Sequence, residues 1–256
     1  MSATGPKVQI FEDSQKAGQC AAETFIDVVG RLLDEQESVC VMLAAAPSQL
    51  SFFRALCRQR QLVDWDRVRL FHMDEYIGLS PSHPASFRSF LHENLVDLVS
   101  PREFSEIHGD AADAGEEMVR YTQVLRSVEL DVCVMGIGEN GHLAFNEPPA
   151  DFDPAYEMQI VKLDNVTRHQ ELAETPFDSI DDVPSHALTV TIPTLLSAKH
   201  LLVIVGGTRK AGVVSRALTG SVDEDVPASI LALYPHALVF LDDGAASQLG
   251  GAPRGA

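Results

Sequence analysis

The sequence predicts an α/β fold built on a mostly parallel, doubly wound sheet with helices on both faces. Three observations lead there. Short apolar runs rich in β-branched residues recur along the 256 residues, longer stretches of helical periodicity separate them, and the two kinds of segment alternate almost throughout. Runs that are apolar on both faces are how buried parallel strands read. Repeated strand and helix alternation favours a parallel sheet whose crossovers are helical.

Taken in order, residues 8–11 are a weak candidate for the first strand. Across residues 14–35, Ala17, Ala21, Phe25, Val28, Val29, Leu32 and Leu33 fall at three-and-four spacing and give a helix one apolar face. Residues 39–44 (VCVMLA) read as a central strand, and Pro47 stands where a first helical turn would begin ahead of residues 50–58. The next strand is 68–72 (VRLFH), followed by helical patterns at 86–95 and 112–128. Strands at 130–135 and 201–205 flank weaker strand candidates at 158–163 and 187–191; a helix at 208–218 precedes a last strand at 238–241. Residues 148–183 hold more Pro, Asp and Glu than their flanks and little periodicity, which makes them a candidate lid or a long surface excursion. From 244 to 256 the chain is small and polar enough to fray, so a single domain is expected to span 1–243.

Nineteen basic against 37 acidic residues give a formal charge of −18. Such a field repels phosphate backbones and anionic lipid, which argues against nucleic acid and membrane surfaces as partners. A small anionic ligand would need a locally positive pocket. No apolar run approaches the roughly 20 residues that span a bilayer, and the N-terminal residues lack a signal-peptide layout, so the expected location is the cytoplasm. Cys20, Cys40, Cys57 and Cys133 lie apart in apolar stretches without a CxxC pair, as reduced buried thiols do. A homo-oligomer is compatible with this pattern, since a surface helix and a subunit contact look alike in sequence.

Ligands of α/β sheets sit beyond the carboxyl ends of the strands, and four such junctions are unusual. After 68–71 come His72, Met73, Asp74, Glu75 and Tyr76. Adjacent carboxylates point to opposite sides of the chain, so at most one faces a given pocket, where it reads either as a general base or as a helix-capping or loop-stabilising group. After Met135 the loop GIGENGHLAFNEP (136–148) places Gly136, Gly138 and Gly141 where backbone can approach a ligand closely. Here His142 and Glu147 read either as an acid/base relay or as a satisfied structural pair. Gly206 and Gly207 followed by Lys210 suggest an anion site at a helix start, with a solvated lysine as the alternative. Ser48 caps a helix or hydrogen-bonds an oxyanion.

Together, FHMDEYIGL (71–79), HPASFRSFLHENL (83–95), GIGENGHLAFNEP (136–148), ALTVTIPTLL (187–196), GGTRKA (206–211) and VPASIL (226–231) resemble the glucosamine-6-phosphate deaminase family, in order over roughly residues 8–242. The resemblance implies a Rossmann-like single domain that converts glucosamine 6-phosphate to fructose 6-phosphate and ammonia, with no metal and no redox cofactor. It implies that Asp74 is the base for the C2 proton and that His142 catalyses ring opening with Glu147 and Asn140 as relay and orienting partners. Lys210 is implied as a phosphate ligand, with Ser48, Arg168, Gly138 and Gly141 as further candidates for binding the sugar phosphate.

Three departures from the family pattern stand out. Asn140 replaces an Asp found in some members and cannot offset positive charge on His142. The first-strand loop reads Ala44-Ala45-Ala46-Pro47-Ser48 where Thr, Gly and Ser are usual, leaving Ser48 as the polar side chain. After Arg168 the chain reads His169-Gln170-Glu171-Leu172-Ala173 where a second phosphate-binding Arg is usual. Two other readings share the fold: a 6-phosphogluconolactonase-like lactone hydrolase, and a non-catalytic sugar-phosphate sensor.

Overall fold

The computed structural model describes residues 5–250. β1 (Lys7–Phe11) leads into α1 (Ser14–Glu35), β2 (Val39–Leu43), a 3-10 turn at Pro47–Gln49, α2 (Leu50–Arg58) and β3 (Val68–His72). One residue later β4 (Asp74–Tyr76) starts; a helical run follows as α3 (Phe87–Leu91), a π turn (His92–Val96) and α4 (Asp97–Val99), then β5 (Glu103–Ser105). The rest is α5 (Ala114–Arg126), β6 (Val132–Met135), β7 (Met158–Lys162), α6 (Asn165–Glu174), β8 (His186–Val190), α7 (Ile192–Leu196), β9 (His200–Val205), a 3-10 turn (Thr208–Lys210), α8 (Ala211–Thr219), a 3-10 segment (Pro227–Leu233) and β10 (Leu238–Asp242).

Seven strands pair in parallel in the order β1-β10-β9-β6-β2-β3-β5. Alternate residues of β2 serve opposite cores. Val39, Val41 and Leu43 pack with Phe25 of α1 and Phe52 and Leu56 of α2, while Cys40 and Met42 face Tyr121 and Leu125 of α5 and Val214 of α8. Both faces are therefore covered by helices, which is why the strands read as continuous apolar runs. Full burial of a side chain such as Phe25 contributes about 1.5–3 kcal/mol. Asp13 and Asp113 cap α1 and α5 by accepting from first-turn amides.

From β2 the chain moves through β3 to β5 at one edge, then returns so that β6 pairs with the other side of β2. That reversal opens a crevice at the carboxyl ends of β2 and β6. A second, antiparallel sheet of order β4-β8-β7 stands over it. The chain bends from the large sheet into the small one at Met73, whose carbonyl accepts from the Val190 amide at 2.7 Å.

The structure adds elements that periodicity does not reveal. β4 is three residues long and two of them are acidic, β5 and α7 are short, and β7 and α6 make a strand and a helix of the expected excursion at 148–183. The tail differs from expectation too. Ala245 and Ala246 are buried, the Ala245 amide donates to Asp242 Oδ1 at 2.7 Å, and Ser215 of α8 donates to the Gln248 carbonyl. Small apolar side chains and a capping Asp hold residues 244–249 in place; residues 251–256 lie outside the described residues.

Candidate active site

Two connected cavities occupy the crevice. The inner one, about 60 Å³, is lined by Ala44–Ala46, Asp74, Gly138, His142, Glu171 and Lys210 among others. The outer one, about 730 Å³, is bordered by Ser14, Ser48, Ser51, Arg54, Arg58, Thr208 and Arg209. Ser48, Glu174 and Lys210 line both.

Asp74 and Glu75 part company as adjacent strand residues must. Glu75 accepts from the Phe87 and Arg88 amides at 3.2 and 3.1 Å and from Ser86 Oγ at 2.8 Å, with the Arg88 guanidinium 3.4 Å away. It is the brace that starts α3. Asp74 lines the inner cavity, and among the described residues nothing donates to its carboxylate. Burial, with the charges of Glu171 and Glu75 nearby, holds its carboxyl well above the usual carboxylate range.

His142 sits on the glycine loop. A Cβ on Gly138 would lie 2.1 Å from its Nε2, so only glycine lets the imidazole lie against the backbone. Gly141 has φ of +95° and lines neither cavity; its amide closes the loop on the Gly138 carbonyl at 3.1 Å. Gly141 therefore shapes the loop that carries His142.

The expected direct relay from His142 to Glu147 takes a longer route. Their closest atoms are 3.7 Å apart, and Thr167 of α6 stands between. His142 Nδ1 is 3.1 Å from Thr167 Oγ1, which donates to Glu147 Oε2 at 3.0 Å. With the hydroxyl proton committed to Glu147, Nδ1–H donates to the threonine, and Nε2 is left as the proton acceptor. Asn140 does not touch the imidazole either. Its Oδ1 accepts from the His142 amide at 3.1 Å, and its Nδ2 donates to Glu147 Oε2 at 2.7 Å and Asp164 Oδ2 at 2.8 Å. An Asp at position 140 would face two carboxylates; Asn supplies a donor to each.

Lys210 is buried with Nζ donating to the Ile137 carbonyl at 2.9 Å, where burial lowers its pKa. The Gly207 amide before it is not free for an anion, because Asp242 accepts from it at 2.9 and 3.0 Å. Ser48 sits at the junction of the cavities and accepts from Gln49 Nε2. Arg168 lines neither cavity: its Nη2 donates to the Ile180 and Val183 carbonyls and fastens the loop after α6.

Sequence reasoning missed the contribution of α6 and α2. Behind its Asp164 cap, α6 presents Thr167, Gln170 and Glu171 at three-and-four spacing, all buried; an Asp cap followed by a polar stripe was the available signal. On α2, Arg54 and Arg58 are exposed at the outer cleft and have no hydrogen-bond or ion-pair partner among the described residues. Arg209 is occupied, pairing with Glu139 and Glu174 at 3.1 Å each. Among the described residues no three His, Cys, Asp or Glu side chains are grouped as a metal would require.

Fold and site together define a class, the doubly wound α/β proteins whose ligand crevice opens where the strand order reverses. Within that class the chain belongs to the glucosamine-6-phosphate isomerase/6-phosphogluconolactonase family, whose model matches residues 12–239. It is 35% identical over 235 residues to a glucosamine-6-phosphate deaminase of Exiguobacterium sibiricum, covering 92% of this chain and 91% of that one. It is 34% identical over 242 residues to the Lacticaseibacillus paracasei deaminase, covering 94% and 98%. A solved monomeric glucosamine-6-phosphate deaminase superposes with a TM-score of 0.86 at 31% identity over 94% of this chain and 99% of that one. The 6-phosphogluconolactonase of Leishmania guyanensis shares the fold at a TM-score of 0.76 and 19% identity, over 96% and 99% of the two chains.

Proposed function

We propose that the protein is a glucosamine-6-phosphate deaminase, turning glucosamine 6-phosphate and water into fructose 6-phosphate and ammonia. The observation that carries this reading is Asp74, a carboxylate without a donor among the described residues, in the same small cavity as His142, with Lys210 at the seam to a cationic cleft. Its deaminase relatives support the choice of substrate.

In this reading His142 Nε2 carries a proton between the C1 hydroxyl and the ring oxygen, which opens the ring. Thr167 and Glu147 hold the imidazole and stabilise its charged form. Asp74 takes the C2 proton and returns it to C1 while the C1 oxygen gains a proton and the C2 ammonium loses one, converting the amino aldose to a protonated imine at C2. Water adds there, the carbon–nitrogen bond breaks, and ammonia leaves with the ketose phosphate. A raised pKa suits a carboxylate that must hold and return a carbon-bound proton. The phosphate lies against Lys210 and Ser48 and points into the outer cleft, where Arg54 and Arg58 supply the charge of the arginine that the stretch after Arg168 lacks. Four free thiols, two of them buried, support a reducing, cytoplasmic setting for the enzyme.

The test is to incubate the native chain with glucosamine 6-phosphate and measure ammonia and ketose phosphate. Both are expected in equal amounts, and Asp74→Asn is expected to cut turnover by about 10²–10⁴-fold. Turnover of 6-phosphogluconolactone without ammonia from the amino sugar would replace this reading with lactone hydrolysis. Tight binding of sugar phosphate without turnover would replace it with a sensor.

A further inference from the structure

The inner cavity holds a second carboxylate that the steps above leave unused. Glu171 projects from α6, is as buried as Asp74, each keeping 7% of its surface, and lines the same cavity of about 60 Å³. Its Oε2 accepts from the Tyr76 hydroxyl at 2.6 Å, while among the described residues nothing donates to Oε1. A structural carboxylate at this depth is expected to have both oxygens satisfied, as Glu75 does with two donors to each. Instead two carboxylates, one without any donor and one with an idle oxygen, face a space with room for about two waters. Their mutual repulsion is relieved by a cation placed between them.

Resting on the deaminase reading, we propose that Glu171 is the residue that binds the C2 ammonium group of the substrate and makes the site select amino sugars over their hydroxyl counterparts. The carbon that gives its proton to Asp74 is the carbon that bears the amine. A carboxylate sharing so small a cavity with Asp74 is within reach of that amine, and the idle Oε1 is the acceptor. Tyr76 fixes the other oxygen and so the direction of the group. Lys210 and His142 also line this cavity but are committed to the Ile137 carbonyl and to Thr167.

The experiment compares native protein with Glu171→Gln, which keeps an acceptor for Tyr76 but removes the charge. KM for glucosamine 6-phosphate is expected to rise roughly 10–100-fold, the range of a lost charged hydrogen bond. The inhibition constant of glucose 6-phosphate, with a hydroxyl at C2, is expected to change less than threefold. Tyr76→Phe, which retains the carboxylate, is expected to preserve most of the preference for the amine. A KM that stays within threefold, or equal weakening of both ligands, would overturn the role of Glu171. Native protein that releases no ammonia would instead overturn the deaminase reading on which it rests.

Discussion

The inner cavity and the outer cleft meet at Lys210, and they solve opposite problems. Inside, acid/base groups are withdrawn from water and held by neighbours: His142 by Thr167, Glu147 by Asn140. Outside, Arg54 and Arg58 stand in solvent without partners among the described residues. Low dielectric strengthens interactions in the inner cavity and punishes any misplacement, whereas solvent screens the outer charges and forgives it. The comparison teaches that chemistry and anion binding are separable here, and that substitutions in the two regions should differ in kind as well as in size.

The sharpest break falls on the inner side. Gly138→Ala would push a methyl group to 2.1–2.3 Å from three atoms of the His142 ring. The ring must leave its place against the loop and lose Thr167, because the closed loop cannot yield. Turnover is expected to fall by at least about 100-fold, the usual worth of a positioned acid/base group, with about 1–3 kcal/mol of lost stability from overpacking. Steady-state kinetics and denaturant unfolding measure the two effects. Near-native turnover would show that the imidazole is not held as tightly as the inner cavity requires.

The same contrast governs what the sequence made legible. Asp74, His142 and Lys210 stand out in the sequence because each follows an apolar strand of the large sheet, whose two-sided burial leaves a strong pattern. Helix α6 was not, although Thr167, Gln170 and Glu171 obey helical spacing. Its inward face meets a polar cavity, so the face that packs is written in polar residues and hydrophobic periodicity has nothing to detect. Glu147 shares a loop with His142 and its nearness is legible, but the hydroxyl between them is not, since Thr167 arrives from a distant helix. Arg168 was misplaced for the converse reason: a guanidinium near the site in sequence turned to loop carbonyls instead. Arg54 and Arg58 look like any solvated pair on a helix until α2 is seen to border the cleft.

A second test uses the energy stored inside. Burial raises the pKa of Glu171 from 4.5 to about 7, against the Tyr76 hydrogen bond and the favourable charge of Lys210, with Glu174 adding repulsion. A carboxyl whose folded pKa exceeds its unfolded one costs no stability below about pH 4. The cost grows as pH rises to 7 and then levels, because only the unfolded chain ionises freely in that window. At pH 8 the difference corresponds to about 3 kcal/mol. Glu171→Gln is therefore expected to unfold at higher denaturant concentration than the native protein at pH 8, by up to that amount, and to lose the advantage towards pH 4. Equal stability at both pH values would mean that Glu171 is better solvated than its burial indicates.

The smallest effect is expected outside. Arg54→Ala and Arg58→Ala remove charges that lie four residues apart on the exposed face of α2, so each should raise KM for the sugar phosphate by about 2–5-fold, in keeping with the 0.2–1 kcal/mol of exposed ion pairs. Turnover at saturation should move less than KM, because neither guanidinium reaches the inner cavity. The effect should shrink as ionic strength rises from 0.01 to 1 M, as the Debye length falls from about 30 to about 3 Å. Lys210→Ala offers the counterpoint: its ammonium is buried, so its loss should be larger and nearly independent of salt. If the arginine variants lost turnover rather than affinity, or if their defect persisted in high salt, the outer cleft would be part of the reacting site and the division between the two cavities would fail.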